Sequence, residues 1–212
     1  MTIEEMKKNG TMDKYFQESF IKYVEEKNIG KEEIDLYDED RRYVRTIYRG
    51  DKIKPDEWKK CILCFVVDKK GNFLVENKIN GEKDECSGHI KHNEVATQAV
   101  IRELYEEYGI EIDEALEAKH LGNIKISFED TNCELQCFLY IYVLFRTRET
   151  PIKIDKREIL NMEAIPYNDF FNMFTNNKIF TYINEYEPII PKLKELCEKI
   201  YEGKKNNKLE RE

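Results

Sequence analysis

The sequence lacks any long apolar run and any excess of positive charge. No hydrophobic segment approaches the ~20 residues that a membrane-spanning helix needs, and the first ten residues, MTIEEMKKNG, contain no apolar signal core. The 35 basic residues face 43 acidic ones, which gives a net charge of -8. That balance argues against a protein that coats nucleic acid or an anionic membrane. These absences predict a cytoplasmic protein that binds neither nucleic acid nor membrane.

The chain also lacks a cysteine framework. Its six cysteines have no tight spacing, and several lie in apolar runs, where a free thiol behaves as a small hydrophobic group. Cys61 and Cys64 match C-x-x-C, but in the strand-like run CILCFVV their side chains point to opposite faces. The cysteines therefore predict buried strands in a reduced compartment, and the C-x-x-C pair is not interpreted as a zinc or redox site.

Hydrophobic spacing divides the 212 residues into an extension, one domain and a tail. Residues 12–30 have helical spacing, and IDLYDEDRRYVRTIYRGD predicts two short strands. CILCFVV and NFLVE predict a hairpin, and HLGNIKISFE and CELQCFLYIYVLF predict two more strands. Helices are expected at 167–174 and in IIPKLKELCEKIYEG. We therefore predict an α/β sandwich with a mixed sheet, with an extension at 1–57, a domain at 58–201 and a charged tail at 202–212.

The stretch SGHIKHNEVATQAVIRELYEEYGI predicts a helix with an unusual C-terminal end. Its predicted core face consists of Ile101, Leu104, Tyr105 and Tyr108. Glu103, Glu106 and Glu107 share another arc, since residues three and four apart are neighbours. Each carboxylate there meets repulsion of roughly 0.3–1 kcal/mol from the helix C-terminus. A solvated acidic helix end is one interpretation; a divalent cation that relieves the repulsion is the other, and oxygen ligands suit Mg²⁺, Mn²⁺ or Ca²⁺.

The spacing around these glutamates decides between the two interpretations. Gly88 is followed after five residues by Glu94, and after seven more by RELYEEYGI. This arrangement resembles the signature of the Nudix hydrolases: Gly, five residues, Glu, seven residues, then Arg-Glu-apolar-any-Glu-Glu-any-Gly-apolar. Such a pattern matches by chance on the order of once in 10⁸ start positions. The resemblance covers Trp58 to about Tyr201 and implies the α/β/α sandwich of that family, with the N-terminal helix and strands as an extension.

The resemblance implies hydrolysis of a phosphoanhydride bond with the help of bound metal. Glu103, Glu106 and Glu107 match the metal-binding glutamates of the family, and the carbonyl of Gly88 matches a backbone ligand. Mg²⁺ is the expected cofactor, with Mn²⁺ as an alternative. The metal would neutralise charge on a diphosphate and lower the pKa of a water molecule.

The resemblance also implies roles for the other residues of the motif. Positions that brace the loop and helix are matched by Glu94, Arg102 and Gly109. Glu106 and Glu103 are the expected catalytic carboxylates, with Glu106 as the base that accepts the proton of water. The base is not always inside the motif in this family, and Glu134 and Glu158 are the alternatives.

Candidate residues for substrate binding lie in the extension and beside Gly88. Arg41, Arg45 and Arg49 alternate with other residues, so a strand would present all three on one face to a phosphate. A solvated edge strand is the alternative. Arg45, Arg49 and His89 are the candidates for binding a small-molecule diphosphate, and the extension is also compatible with a homodimer interface.

Two other functions stay open at this point. IDLYDEDRRYVRTIYRGD followed by SGHI resembles the Nudix subgroup that includes isopentenyl diphosphate isomerases, which carry a cysteine immediately before Gly-His. Ser87 occupies that position here and Cys86 stands one residue earlier. This difference and the intact glutamates favour hydrolysis of a nucleoside diphosphate derivative or related diphosphate. The alternatives are such an isomerase, or a Nudix module that senses a nucleotide without cleaving it.

Overall fold

The computed structural model describes residues 31–127, 136–148, 150–175 and 186–209, with only the backbone given for 174–175 and 200–209. The helix expected at residues 12–30 lies outside the described residues. The strands are β1 (Glu33–Tyr37), β2 (Tyr43–Tyr48), β3 (Lys59–Val67), β4 (Asn72–Lys78), β5 (Lys83–Asp84), β6 (Cys86–His89), β7 (Lys119–Ile126), β8 (Cys137–Phe145) and β9 (Ile159–Pro166). The helices are α1 (Ala96–Tyr108), α2 (Ile112–Ala115), α3 (Tyr167–Thr175) and α4 (Ile190–Leu209).

Strand β3 organises a mixed sheet. It runs parallel to β8 along its whole length and antiparallel to β6, and β7 extends the sheet beyond β8. The hairpin predicted between β3 and β4 is present, but the two strands pair only through Val67 and Phe73. Beyond that point β4 pairs with β5 and β9 instead. The predicted mixed sheet is therefore confirmed. Away from the turn of the hairpin, β3 and β4 separate, and each pairs with other strands.

Helices cover both faces of the sheet. Alternate residues of β3 enter two separate cores: Leu63, Phe65 and Val67 face α3 and α4, whereas Ile62, Cys64 and Val66 face α1. On the first face the ring of Phe170 in α3 stacks on the ring of Phe73. Cys61 packs against the first core and Cys64 lies in the second, so the opposite orientation predicted for this pair is confirmed. The layers form the α/β/α sandwich expected from the sequence.

Strands β1 and β2 form a separate hairpin that packs on the main sheet. A small core of Ile34, Leu36 and Ile47 holds it together. The main-chain N–H and C=O groups of Tyr37 and Trp58 exchange hydrogen bonds of 2.9 and 2.8 Å, which attach the hairpin to the start of β3. The prediction that Arg41 belongs to this strand is wrong. Arg41 lies in the turn before β2 with a φ of 65°, so it does not share a strand face with the other two arginines.

Helix α1 carries the glutamates, and its ends follow from local sequence. The side chain of Gln98 accepts a hydrogen bond from the N–H of Val95 at the N-terminal end. At the C-terminal end Gly109 adopts a φ of 62°, a left-handed conformation that glycine enters without strain. The predicted core face is wrong in one member, because Tyr105 is 54% exposed. Glu103 and Glu107 are buried instead, beside the apolar side chains of the helix.

The C-terminal helix is longer than expected. Leu193 and Cys197 of α4 pack on the sheet, as its amphipathic pattern predicts. The helix continues to Leu209, so residues 202–209, expected as a charged tail, are helical. Within the described ranges, no helix is long and apolar enough to cross a membrane.

Candidate active site

A cavity of about 600 Å³ is lined by β6, the C-terminal half of α1 and residues of β3 and β8. The structure brings together in its lining these residues predicted from the sequence: Arg49, Gly88, His89, Arg102, Glu103, Glu106, Glu107 and Glu158. Three other predicted residues do not line it: Arg45, Glu94 and Gly109. Glu134 lies outside the described residues.

Gly88 allows the closest approach in this cavity. It stands in β6 opposite Ile62 of β3, with α1 behind it. A Cβ atom at this position would lie 1.9 Å from Oε1 of Glu103. Any larger residue would therefore force the side chain of Glu103 away from the backbone of β6.

Arg102 donates hydrogen bonds to four residues of the motif and its loop. Its Nε and Nη2 atoms donate to the two carboxylate oxygens of Glu94 at 2.8 and 2.9 Å, and Nη2 also donates to the carbonyl of His89 at 2.9 Å. Nη1 donates to Glu103 at 2.6 Å and to Glu106 at 3.1 Å. Burial disfavours the charge of Glu94, but the hydrogen bonds from Arg102 and Lys91 hold its pKa below the ordinary value. Arg102 thus ties the loop after β6 to α1.

The three glutamates of α1 have different surroundings. Burial, together with the charge of Glu76, raises the pKa of Glu107 to about 9. Its carboxylate accepts a hydrogen bond, at 3.2 Å, from the N–H of Ser87. Burial also raises the pKa of Glu103. The side chain of Glu106 is 50% exposed and faces the cavity. Two carboxylates are therefore buried at the wall and the third is open to solvent.

The donor set of this wall suits a hard divalent cation. It consists of carboxylate oxygens and a backbone carbonyl, the ligands that Mg²⁺ and Mn²⁺ prefer. Among the described residues, no three His, Cys, Asp or Glu side chains converge as they stand to hold an ion. The guanidinium of Arg102 bridges Glu103 and Glu106 in this arrangement. The space beside Glu103 that glycine leaves and the buried carboxyl group of Glu107 fit a cation, whose binding would require Glu103 and Glu106 to turn from Arg102.

A second charged group lies behind Glu107 and was missed in the sequence. Glu76 of β4 is fully buried and neither of its carboxylate oxygens has a hydrogen-bond partner, while burial raises its pKa to about 7. Nζ of Lys78 lies 3.8 Å from Glu76 and 2.8 Å from Asp84. A signal was available in the sequence, because Glu76 directly follows the apolar run FLV within the predicted strand NFLVE.

Among the described residues, five basic side chains from several elements line the cavity, beside seven acidic ones. Arg49, Lys78, Lys91, Arg102 and Arg157 all contribute to its lining. A further acid that the sequence did not reveal, Glu32, lies just before β1, with its carboxylate within 3.5 Å of Arg49 and 3.7 Å of His89 and Lys91.

Arg45 is engaged elsewhere. Its Nε and Nη2 atoms donate to the buried carboxylate of Glu57 at 2.8 and 2.7 Å. The hairpin β1–β2 therefore contributes Arg49 to the cavity, while Arg45 attaches the hairpin to the domain.

Cys86 does not face the cavity. It is fully buried in the core on the α1 side of the sheet, and burial raises the pKa of its thiol well above the ordinary value. Ser87 contributes to the cavity lining in its place. A role for Cys86 as the acid of an isomerase would require a thiol in contact with substrate, and its orientation argues against that role.

The sandwich, the cavity and the glutamates of α1 define an enzyme of the pyrophosphohydrolase class. The sequence model of the NUDIX domain matches residues 57–185, and the chain belongs to the Nudix family. The resemblance found in the sequence is thereby confirmed, and enzymes of this family generally use divalent metal ions.

Known proteins agree with this assignment. The chain is 29% identical over 161 residues, 70% of its length, to an uncharacterised Nudix hydrolase of Clostridium acetobutylicum, of which the match spans 76%. Its fold is similar to that of a Deinococcus radiodurans protein (TM-score 0.55, 21% identity, covering 68% of this chain and 90% of the other). It is also similar to a MutT protein of Methanosarcina mazei (TM-score 0.51, 16% identity, covering 65% and 96%).

Proposed function

We propose that the protein hydrolyses a phosphoanhydride bond in a nucleoside diphosphate derivative or a related small-molecule diphosphate, with Mg²⁺ or Mn²⁺ as cofactor. The observation that carries the proposal is the wall of the cavity, where Gly88, Glu103, Glu106 and Glu107 stand together. The lysine and arginine side chains around the same cavity supply the positive charge that a diphosphate needs in a protein with a net charge of -8.

Different residues of the chain bind the substrate, hold the cation and accept the proton. Arg49, Lys91 and Arg157 lie where they can bind phosphate oxygens, and His89 can donate a hydrogen bond to the same groups. Glu103, Glu107 and the carbonyl of Gly88 would hold a divalent cation, which supplies charge neutralisation and a lowered pKa of water when bound. The half-exposed carboxylate of Glu106 accepts the proton of the attacking water.

Two other carboxylates are candidates for the base. Glu158 lines the cavity next to Arg157, and Glu134 was predicted from the sequence as a further alternative. The single variants Glu106→Gln, Glu158→Gln and Glu134→Gln separate them. Loss of the base lowers turnover by orders of magnitude, whereas loss of a charge that only binds substrate changes mainly KM.

The test is a hydrolysis assay of the wild type and Glu106→Gln with a panel of nucleoside diphosphate derivatives and isopentenyl diphosphate, in Mg²⁺, Mn²⁺ or EDTA. We expect metal-dependent release of phosphate or a nucleoside monophosphate, reduced about 10²–10⁴-fold in Glu106→Gln. Glu111→Gln removes an exposed glutamate three residues beyond α1, outside the cavity lining, and is the matched control with unchanged turnover.

Three outcomes oppose the proposal. Turnover confined to isomerisation of isopentenyl diphosphate assigns the isomerase activity instead. Nucleotide binding without cleavage under any metal condition assigns a sensor. Equal turnover of Glu106→Gln and Glu111→Gln removes Glu106 from the chemistry.

A further inference from the structure

The segment before β1 carries an acidic side chain into the cavity. The carbonyl of Glu32 accepts a hydrogen bond of 2.8 Å from the N–H of Arg49, which directly follows β2. The carbonyl of the next residue, Glu33, accepts a hydrogen bond of 2.9 Å from the N–H of His92, in the loop after β6. Main-chain hydrogen bonds to both neighbouring segments therefore fix the place of Glu32.

Three donors face the carboxylate of Glu32 without close hydrogen bonds to it. Its Oε2 atom lies 3.5 Å from Nη1 of Arg49 and 3.7 Å from Nδ1 of His89. Its Oε1 atom lies 3.7 Å from Nζ of Lys91. Among the described residues, no donor reaches the buried Oε2 atom at hydrogen-bonding distance, and the side chain is 15% exposed. We call these three residues the hairpin subsite, and all of them line the cavity together with Glu32.

The carboxylate of Glu32 sets the charge of the hairpin subsite. The other basic side chains in the cavity lining pair with acids of the main domain, in the ion pairs Arg102–Glu103, Lys78–Asp84 and Arg157–Asp155. Arg49 and Lys91 pair with Glu32. Burial opposes its ionisation, but the three residues of the subsite hold the pKa of Glu32 below its ordinary value. Apart from the imidazole, two cations and one carboxylate therefore leave a single net positive charge.

We propose that Glu32 makes the hairpin subsite selective for an esterified phosphate, which carries one negative charge, over a free terminal phosphate, which carries about two. The preferred substrate is then a diphosphate esterified at both ends, rather than one with a free terminal phosphate. This choice of substrate rests on the proposed function, because it concerns the same cavity. The selectivity itself is a property of anion binding and is measured without turnover.

Charge and exposure account for the selectivity. The side chain of Arg49 is 64% exposed, so its guanidinium keeps donors for a ligand besides the one that faces Glu32. A singly charged phosphate matches the net charge of the hairpin subsite. A second negative charge would be brought close to the carboxylate of Glu32, where burial leaves the repulsion weakly screened. Discrimination between ligands often depends on such a repulsive element as much as on attractive contacts.

Anion binding to the full-length protein in EDTA tests the selectivity. The sequence contains three histidines, so the imidazole signals in an NMR spectrum are few, and the variants His92→Gln and His120→Gln assign that of His89 by elimination. The signal is followed during titration with inorganic phosphate or dimethyl phosphate at pH 8 and constant ionic strength. We expect the wild type to bind inorganic phosphate no more tightly than dimethyl phosphate, despite its larger charge. In Glu32→Gln we expect inorganic phosphate to bind about tenfold more tightly, and dimethyl phosphate to change less than about threefold.

Two variants serve as controls, and circular dichroism checks that each variant is folded. Glu33→Gln removes the neighbouring exposed carboxylate, which is not part of the described cavity lining, and should leave both affinities unchanged. Glu32→Asp keeps the charge and should keep the selectivity of the wild type.

Four outcomes overturn the proposal. Wild-type protein that binds inorganic phosphate about tenfold more tightly than dimethyl phosphate at His89 does so without reference to any variant. An unchanged ratio of the two affinities in Glu32→Gln, or no shift of the His89 signal in that variant, has the same consequence. Weaker phosphate binding in Glu32→Gln would show that Glu32 only positions the cations.

Turnover separates this inference from the proposed function. The ratio of kcat/KM is measured for UDP-glucose over UDP, and for ADP-glucose over ADP, in Mg²⁺. We expect the wild type to favour the esterified member of a pair, and Glu32→Gln to lower that ratio about tenfold. Selective anion binding without turnover of any pair supports the selectivity and contradicts the proposed function. Turnover with a ratio that Glu32→Gln leaves unchanged contradicts the role of Glu32 alone.

Discussion

Glu107 experiences the strongest conflict between charge and surroundings among the glutamates of α1. Its carboxylate is buried, stands near the buried carboxylate of Glu76, and lies in the last turn of a helix whose C-terminal dipole is negative. The charge of Lys78 partly compensates it, but Nζ of Lys78 already lies 2.8 Å from Asp84. Without a cation at this wall, folding must either bury negative charge or take up a proton at Glu107.

Replacing Glu107 by glutamine should therefore stabilise the metal-free protein. The amide keeps an oxygen for the N–H of Ser87 but needs neither a proton nor a counter-charge. In EDTA we expect Glu107→Gln to raise the free energy of unfolding on the order of 1 kcal/mol, or the melting temperature by about 3 °C. Urea and thermal unfolding measure both quantities.

The control for this change is Glu111→Gln, an exposed glutamate beyond the end of α1, which should leave the unfolding free energy unchanged. A lower melting temperature of Glu107→Gln in EDTA would show that neighbouring groups stabilise the carboxylate. It would contradict the prediction that burial of Glu107 destabilises the metal-free protein.

At the scale of single residues, the sequence predicts which side chains are neighbours on a helix better than it predicts which of them are buried. Positions three and four apart placed Glu103, Glu106 and Glu107 together, and all three line the cavity. Helical spacing alone did not reveal that Glu103 and Glu107 are buried while Tyr105 is exposed, because burial depends on what covers the helix. β6 lies against this side of α1, and its glycine leaves room for the carboxylate of Glu103.

At the scale of elements, an ion pair with a buried carboxylate joins the β1–β2 hairpin to the segment just before β3. Arg45 of β2 donates two hydrogen bonds to Glu57, whose side chain is 3% exposed and which also accepts from the N–H of Lys54. The hydrogen bonds from Arg45 lower the pKa of Glu57 to about 2. The hairpin carries Arg49 to the cavity, so this pair also positions a candidate substrate residue.

Because the pKa of Glu57 is lowered in the folded protein, its contribution to stability decreases as the pH falls. A carboxyl with a folded pKa of about 2 stabilises the native state fully above its ordinary value of 4.5, and this contribution is lost as the pH falls toward 2. We expect Glu57→Gln to lower the free energy of unfolding by about 2 kcal/mol at pH 7, and the difference from wild type to shrink below pH 4.5. Urea unfolding at pH 7, 5 and 3 measures the trend.

Glu195→Gln is the comparison for the ion pair. Glu195 pairs with Lys199 on an exposed face of α4, with both side chains more than half exposed, and its loss should change stability little at any pH. A difference between Glu57→Gln and wild type that is as large at pH 3 as at pH 7 would contradict the role of ionised Glu57.

The elements themselves were predictable where their periodicity was strong. The strands β3, β7 and β8 and the helices α1, α3 and α4 follow from apolar runs and amphipathic spacing. Strand β9 was missed because only Ile159 and Ile165 along it are buried, which leaves no alternation for a period of two to detect. The position of Arg41 was mistaken because a turn of Asp38 to Arg42 interrupts the alternation of arginines.

At the scale of the whole molecule, basic side chains from distant parts of the chain are brought to the cavity that also holds the glutamates of α1. The net charge is -8, while lysine and arginine side chains from the hairpin, from β4 and from the loop before β9 converge on one cavity. Their convergence was not predictable from the sequence, since Arg49, Lys78 and Arg157 are far apart along the chain. Pairing of β4 with β9, and packing of the hairpin against β3, bring them together.

Because the charge conflict lies at one wall, a divalent cation should stabilise the whole fold by binding there. An ion present at 100 times its dissociation constant adds about 2.7 kcal/mol to the free energy of unfolding, which raises the melting temperature of a protein of this size by about 5–10 °C. We expect a saturable rise with Mg²⁺ or Mn²⁺, reversed by EDTA and mostly lost in Glu107→Gln. Sodium chloride at equal ionic strength controls for screening of the net negative charge. A rise that is equally large with sodium chloride, or unchanged in Glu107→Gln, would mean that the ion acts on the surface charge and not at the glutamates of α1.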